Sequence, residues 1–334
     1  MLRFFTLITV LCLSIGHSFG QDIHFSQFNM SPLTMNPALS GAFSGTFRVG
    51  AIYRDQYGVS GLLSNQYTTP AIYVDAPVIK GFRAQDWVGA GVTMYQDQAG
   101  TLGLANGAFL ISGAYHLALD KKQKSVLTLG FQMGGGQRSI KNKDKARFED
   151  EIIDGMPSED IEKVSDADAQ YTDYAAGLLF TRTVNANLSF QAGFAVGHMF
   201  KPKVTVFNSS DRIGRRITLH GSSVIGLNER FRLTPAFQFQ AFGKKSMELS
   251  LQSLVGYKID PTKDIFVNAG LGYRVGESIQ AHVGADIKSL RVGICYDFPT
   301  VAIKPTGSFE LALSYIFKIY KKPKVKPVIF CPRF

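Results

Sequence analysis

Three observations predict an all-β fold, a single-chain transmembrane antiparallel β-barrel of about fourteen strands. From Gly45 onward, apolar residues recur with period two rather than 3.6. Val292, Ile294, Tyr296 and Phe298, for example, alternate with Arg291, Gly293, Cys295 and Asp297. The strand-like runs reach ~10–14 residues, whereas strands of soluble sheets usually have ~5–6. Connections alternate between tight turns, such as Lys121-Lys122-Gln123, Asn228-Glu229-Arg230 and Lys288-Ser289, and longer loops, such as Ser139 to Gln170 and Lys201 to Gly214. Short turns at one end and long loops at the other are a barrel signature.

Met1 to Gly20 has the form of a signal peptide. Arg3 gives a positive start, Phe4 to Ile15 an apolar core, and Ser18-Phe19-Gly20 a small-residue cleavage site. That core is too short for a membrane span, which needs ~20 residues. Cys12 lies inside it and lacks the small residue before it that a lipoprotein site requires. Gln21 to Phe43-Ser44 is irregular. It carries Phe25, Phe28, Met30 and Met35 without helical or strand periodicity, and Pro32 and Pro37 push their predecessors towards extended backbone. By residues alone it is a leader that ties down a β domain, or a plug or docking element. Its four large apolar side chains need something to pack on.

The barrel is expected over 45–320, with strands near 45–57, 67–76, 86–96, 102–118, 125–137, 171–182, 188–200, 215–227, 231–242, 246–259, 265–275, 279–287, 290–298 and 309–320. Pro70 makes the second the weakest of these. Thr101 to Leu119 is uncharged and holds Gly103-x-x-x-Gly107. Its glycines, Asn106 and His116 argue against a helix, and one helix among strands would leave unpaired edges in lipid. Tyrosines near run ends (Tyr53, Tyr57, Tyr95, Tyr257, Tyr273, Tyr296, Tyr320) are expected to form interfacial girdles. The insertion 139–170 is rich in Asp and Glu but has no calcium-loop register, which makes it a solvated loop. The tail 321–334 holds four lysines and three prolines, against another strand.

No chemistry of an enzyme assembles. The mature histidines (His24, His116, His198, His220, His282) sit singly, no Ser/His/Asp set forms, and Met133 to Lys141 lacks the ending of a phosphate loop. No enzyme, cofactor or metal site is expected. The net charge of +10 is spread along the chain, with no nucleic-acid module. Cys295 falls on the lumen side by parity and Cys331 lies in the tail, so two separate thiols are expected. Lumen positions include Arg232, Glu248, Lys258, Arg274, Asp286, Arg291, Asp297 and Glu310. Mixed signs there favour pairing and a closed interior over an ion-selective pore.

Several blocks resemble the PorP/SprF family of type IX secretion outer-membrane proteins. At the start these are Phe25-Ser26-Gln27-Phe28, Asn36-Pro37-Ala38 and Gly41. Within the barrel, Tyr53-Arg54-Asp55-Gln56-Tyr57 is similar to an aromatic-Arg-x-Gln-aromatic block, with Tyr57 where Trp is common. Gly89-x-Gly91 followed by Asp97-Gln98-Ala99-Gly100 is similar too. At the end stand Phe309-Glu310-Leu311, Leu313-Ser314-Tyr315 and Cys331-Pro332-Arg333-Phe334. The acidic insertion is outside the common pattern.

The resemblance implies a fourteen-stranded barrel in the outer membrane with both termini periplasmic. It further implies work with the secretion and gliding apparatus, and binding or anchoring of a secreted adhesin or other cargo carrying a C-terminal sorting domain. Periplasmic or outer-membrane secretion components and outer-membrane lipid are the other implied partners. Phe25, Ser26, Gln27, Phe28, Asn36, Pro37, Arg54, Gln56, Cys331, Pro332, Arg333 and Phe334 are the implied plug or partner-binding residues. The alternative is an outer-membrane transporter or channel for a small hydrophobic solute, which predicts a largely apolar luminal pocket.

Overall fold

Fourteen strands close into a barrel. They are β1 (Phe47–Gln56), β2 (Tyr67–Lys80), β3 (Trp87–Ala99), β4 (Leu104–Ala118), β5 (Ser125–Ile140), β6 (Ala169–Asn185) and β7 (Leu188–Gly197), then β10 (Arg216–Gly226), β11 (Phe231–Phe242), β12 (Ser246–Lys258), β13 (Ile265–Arg274), β14 (Ser278–Ile287), β15 (Leu290–Pro299) and β16 (Ser308–Phe317). The computed structural model describes residues 22–56, 67–142, 145, 168–206, 209–243, 246–260, 262–300 and 307–319. All barrel neighbours pair antiparallel, and closure runs from Phe47↔Phe317 to Gln56↔Ser308 between β1 and β16. Closure matters because an unpaired edge in lipid would leave backbone N–H and C=O groups without partners. No helix of the described residues is long and apolar enough to cross a membrane.

The wall is turned inside out relative to a soluble sheet. Along β12, Met247, Leu251 and Val255 are exposed while Glu248, Ser250 and Gln252 are buried. The apolar set faces outward and the polar set the lumen, as a lipid-facing barrel requires. Tyr53, Tyr257 and Tyr273 are exposed on the outer surface, as expected of girdle residues. Tyr95 is a correction: it is 8% exposed and points into the lumen, packed near Phe25 and Ile52. Tyr57 and Tyr320 lie outside the described residues.

Several strand limits shift by up to four residues, and three departures have a clear physical cause. β2 runs past Pro70 to Lys80, with a register shift between Pro77 and Ile79, where proline cannot donate to the ladder. β7 stops at Gly197 because His198 (φ 51°) and Lys201 (φ 50°) take left-handed backbone. The loop expected from Lys201 to Gly214 instead holds a hairpin, β8 (Lys203–Val206) paired with β9 (Ser209–Arg212). Thr101 to Leu119 forms β4 with its flanks, as a strand and not a helix. Ser139-Ile140 and Ala169-Gln170 belong to β5 and β6, and most of the acidic insertion between them lies outside the described residues, as does the tail 321–334.

The two ends of the barrel differ. One carries the short turns, including 119–124, 186–187, 227–230, 259–264 and 288–289, and there β1 begins and β16 ends. The other carries the longer connections and the β8–β9 hairpin. These are the turn end and the loop end below.

Candidate functional site

The lumen is filled by the chain's own start. Asp22 lies at the loop end beside His198 and Arg216, and Gly41 at the turn end beside Ala76 and Gly89. Between them the segment makes three short helical turns, Phe28–Met30, Pro32–Met35 and Pro37–Leu39. Proline at the first or second position of the last two suits a helix start, where the missing N–H is no loss. From Phe25 to Gly41 almost every residue is buried, with Phe25 at 4% and Phe28 at 3% exposure. Both chain ends were expected at one rim. The described residues run from Asp22 at the loop end to Ile319 at the turn end, and the termini themselves lie outside them. Those two residues stand at opposite ends because the segment threads the full lumen before entering β1.

Apolar anchors hold it first. Ile23, Phe25 and Met30 cluster with Ile52, Tyr95 and Leu110 of the wall, and Phe28, Met35, Ala38 and Leu39 with Leu179 and Ala236. Each large side chain removed from water contributes roughly 1.5–3 kcal/mol. The inward positions are therefore not all polar. Two apolar patches receive the segment.

Polar latches then fix its register. In the first, the Glu310 carboxylate accepts the backbone N–H of Ser26 at 2.7 Å and of Gln27 at 2.9 Å, while Gln27 Nε2 donates to the Glu310 carbonyl at 3.3 Å. Arg54 Nη1 pairs with that carboxylate and with Asp297 at 3.1 Å. Ser26 Oγ donates to Asp297 at 2.7 Å and accepts from Arg54 and Arg274 at 3.0 and 2.9 Å. Arg274 is fully buried between Glu248, Glu277 and Asp297. Buried ions cost several kcal/mol each unless paired and hydrogen-bonded, and here each cation faces more than one carboxylate. Three sequence blocks far apart in the chain thus meet at one point.

Asn36 makes the second latch, fully buried at mid-lumen. Its Nδ2 donates to the Leu178 and Phe194 carbonyls at 3.0 and 3.4 Å and lies 3.0 Å from His220 Nε2, while its Oδ1 caps Ala38 N–H at 2.9 Å. The third is at the turn end. Asp75 accepts the N–H of Gly41 at 2.8 Å and a bidentate grip from Arg48, Ser40 meets Ser112 and His116, and Trp87 Nε1 donates to the Gly41 carbonyl at 3.0 Å. The fourth is at the loop end, where Asp22 pairs with Arg216 at 2.8 Å and with His198 at 3.0 Å, and His198 Nδ1 reaches Asp173 at 2.9 Å. Burial favours the uncharged forms of both Asp22 and His198, but the ion pairs prevail. They push His198 up to about 9 and hold Asp22 well below the usual carboxylate range.

Glycines admit the segment's backbone to the wall. A Cβ on Gly89 would sit 1.9 Å from the Ser40 carbonyl, and one on Gly130 2.2 Å from the Ala38 nitrogen. Gly41 itself needs its positive φ of 70° to turn the chain towards β1.

Of the expected site residues, Phe25, Ser26, Gln27, Phe28, Asn36, Pro37 and Arg54 come together inside the lumen. Gln56 sits at the loop end of β1, opposite Tyr67 and Ser308. Cys331, Pro332, Arg333 and Phe334 lie outside the described residues. Cys295 is free, buried, and beside His282 and Asp297. Asp22, Asp75, His198, Arg216 and the lumen-facing glycines were not singled out as plug contacts. For Asp75, Arg216 and the glycines the signal was a charged or small residue at lumen parity; Asp22 and His198 lie outside the barrel strands and had no parity to read. Among the described residues no group of His, Cys, Asp or Glu is placed to hold a metal ion.

The segment does not fill the whole interior. Beneath it, towards the turn end, a cavity of about 430 Å³ is lined by Met30, Met35 and Leu39 above, and by Val224, Leu254 and Arg232 among the wall residues.

In fold the chain is similar to the Ralstonia pickettii toluene transporter TbuX, with 10% identity over 86% of this chain and 93% of that one, at a TM-score of 0.50. The Pseudomonas putida toluene transporter TodX (10% identity, 85% and 93% covered, TM-score 0.48) and the KdgM porin (8%, 81% and 99%, TM-score 0.40) are more distant barrels. At such identities the likeness concerns the fold alone. A comparison with curated proteins returned no match. The family model of the type IX secretion system membrane protein PorP/SprF, however, matches residues 17–315, nearly the whole chain. Together with the closed fourteen-stranded wall, that match places this chain in the PorP/SprF family of type IX secretion system membrane proteins.

Proposed function

We propose that this barrel is a sealed outer-membrane anchor of the type IX secretion and gliding machinery, binding a secreted adhesin or similar cargo rather than conducting solute. The observation that carries this reading is the segment from Asp22 to Gly41, buried along the lumen and latched at both ends and in the middle. A conduit would need that segment to leave, against two apolar clusters and several buried ion pairs. An anchor gains from the same rigidity. In this reading the turn end faces the periplasm and the loop end the cell surface. Phe25, Ser26, Gln27, Phe28, Asn36 and Pro37 then act as plug residues that shape the barrel, and partners meet its rims.

The test separates plug from conduit. Purified protein in a planar bilayer is expected to show no steady conductance, and a deletion of Phe25 to Asn36 to open one. In cells, a correctly inserted, heat-modifiable deletion variant that still displays its adhesin would place cargo binding on the barrel's rims. Loss of display with the barrel intact would assign binding to the segment itself. Steady conductance and uptake of a small apolar solute by the unaltered protein would overturn the anchor in favour of the transporter.

A further inference from the structure

The cavity beneath the plug has a largely apolar roof over a mixed wall, in which Thr181, Gln191, Ser222, Thr234 and Gln252 stand beside a few apolar residues. Its roof is the underside of the segment, with Met30, Pro32, Met35 and Leu39, and its wall adds Val224 and Leu254. Val224 is 42% exposed although it takes the lumen parity of β10, so apolar surface is open to water there. At about 430 Å³ the space exceeds any single side chain and suits two or three residues of a peptide.

The rim carries an excess of positive charge. Arg182 near the end of β6, Arg230 in the 227–230 turn and Lys288 in the 288–289 turn are exposed, Lys258 stands 5.8 Å from the Phe266 ring, and Arg232 and Arg291 line the cavity. The carboxylates on this arc are mostly occupied. Asp286 is shared by Arg232 and Arg291, and Asp260 is held by Lys263 at 3.4 Å and by Thr262. Among the described residues of this arc, Glu229 and Asp264 remain against these cations. The sequence beyond Ile319 adds four lysines and an arginine of the same sign, so the chain's own tail is electrostatically the wrong occupant.

We infer that the turn-end cavity and its basic rim form a docking site for an acidic segment of a partner protein, which inserts an apolar residue beneath the plug. Rim charges steer such a segment and set its salt dependence, and the apolar anchor supplies the specific contact. The inference is independent of which cargo the opposite end holds.

Fluorescence anisotropy on the full chain in zwitterionic detergent tests it, with a labelled peptide of alternating Glu and Asp around a central Leu-Phe pair as probe. Binding should weaken with salt. Reversal of Arg182, Arg230 and Lys288 to Glu should cost about tenfold, as three exposed ion pairs would. Replacing Leu-Phe by Ser-Ser in the probe should weaken binding to the unaltered barrel. Val224→Trp should erase that difference while leaving the salt dependence, and Ser222→Phe serves as a second filling variant should the first misfold. Four outcomes would overturn the inference. A Lys-based peptide that binds equally well removes the charge argument, and an unchanged affinity with Ser-Ser removes the anchor. A large gain in binding when residues 320–334 are deleted would make the tail the occupant. Full competition by anionic phospholipid added to the detergent micelles would make the rim a headgroup surface.

Discussion

Replacing Glu310 by Gln tests whether the segment is a latched plug or merely a lumen filling. Glu310 is fully buried and accepts the N–H groups of Ser26 and Gln27 while pairing with Arg54. The amide keeps one acceptor oxygen, but its NH₂ then faces one of those two donors. Hydrogen bonds to a charged group are worth about 1.5–3 kcal/mol each. Arg54 also loses one of its two carboxylates and keeps Asp297 at 3.1 Å. Breaking a buried pair on one side costs about 3–5 kcal/mol, and that is the expected loss for E310Q. Arg54→Gln should cost a similar amount, because Glu310 and Asp297 then lose their shared cation. In the double variant neither charge is left unmatched at this pair, so the combined loss should fall short of the sum by about 2 kcal/mol. Thermal unfolding in detergent measures the cycle. Maleimide labelling of Cys295 in a Cys331→Ser background reports on the plug directly, since Cys295 is 0% exposed. Strict additivity within about 0.5 kcal/mol would refute the Arg54–Glu310 pair, and Cys295 labelling no faster in E310Q than in the unaltered barrel would refute the latch.

Further outcomes follow from the same contacts. Gly89→Ala and Gly130→Ala should each destabilise by roughly 1–3 kcal/mol through overpacking and speed Cys295 labelling. Gly135→Ala, where a Cβ meets nothing within 4 Å, should do neither. At Asn36, Asp should be worse than Ala, because a carboxylate would face the Leu178 and Phe194 carbonyls, and melting temperatures decide the order. The loop-end latch gives a pH window. His198, raised to about 9, contributes stability that is complete below its unfolded value near 6.5 and is lost as pH climbs through about 9. Asp22, lowered, contributes above its unfolded value and loses that only in acid. The melting temperature should therefore fall between pH 7 and 10 by an amount worth at most roughly 3 kcal/mol, and His198→Gln should flatten that limb. An alkaline limb of the same size in the variant would exclude His198 as its source.

The wall was legible in the sequence because period two, which a soluble sandwich shares, ran here in stretches of ~10–14 residues joined alternately by short turns and long loops, as a membrane barrel does. Strand β11, Phe231–Phe242, has the expected limits, and β12 and β13 agree to a residue. Mixed charges at lumen parity also announced a paired interior, and Arg232 with Asp286 and Arg274 with Glu248 are such pairs. The path of the first segment was not legible. Its residues have no periodicity, and nothing local tells Phe25 whether the surface it covers is a rim or a lumen. Tyr95 misled for a related reason: tyrosine suits an interface, yet parity places this one inside, where the segment supplies its apolar neighbours. The β8–β9 hairpin escaped because its strands of four residues each are too short to show alternation.

The blocks that carried the family resemblance acquire a shared physical role once the segment is seen inside. Ser26 and Gln27 stand at the start, Arg54 on β1 and Glu310 on β16, and β1 and β16 are the strands whose pairing closes the barrel. Arg54 and Glu310 are direct partners in that register, so the ion pair lies across the closing seam and the segment's backbone is hydrogen-bonded onto it. Closure and plugging thus rest on the same contacts. The segment belongs to the folded core, and a barrel that lacks it must close over an Arg54–Glu310 pair whose remaining acceptors have only water. For that reason the conductance of the Phe25–Asn36 deletion is read beside substitutions such as E310Q, which leave the apolar anchors in place and so separate sealing from folding.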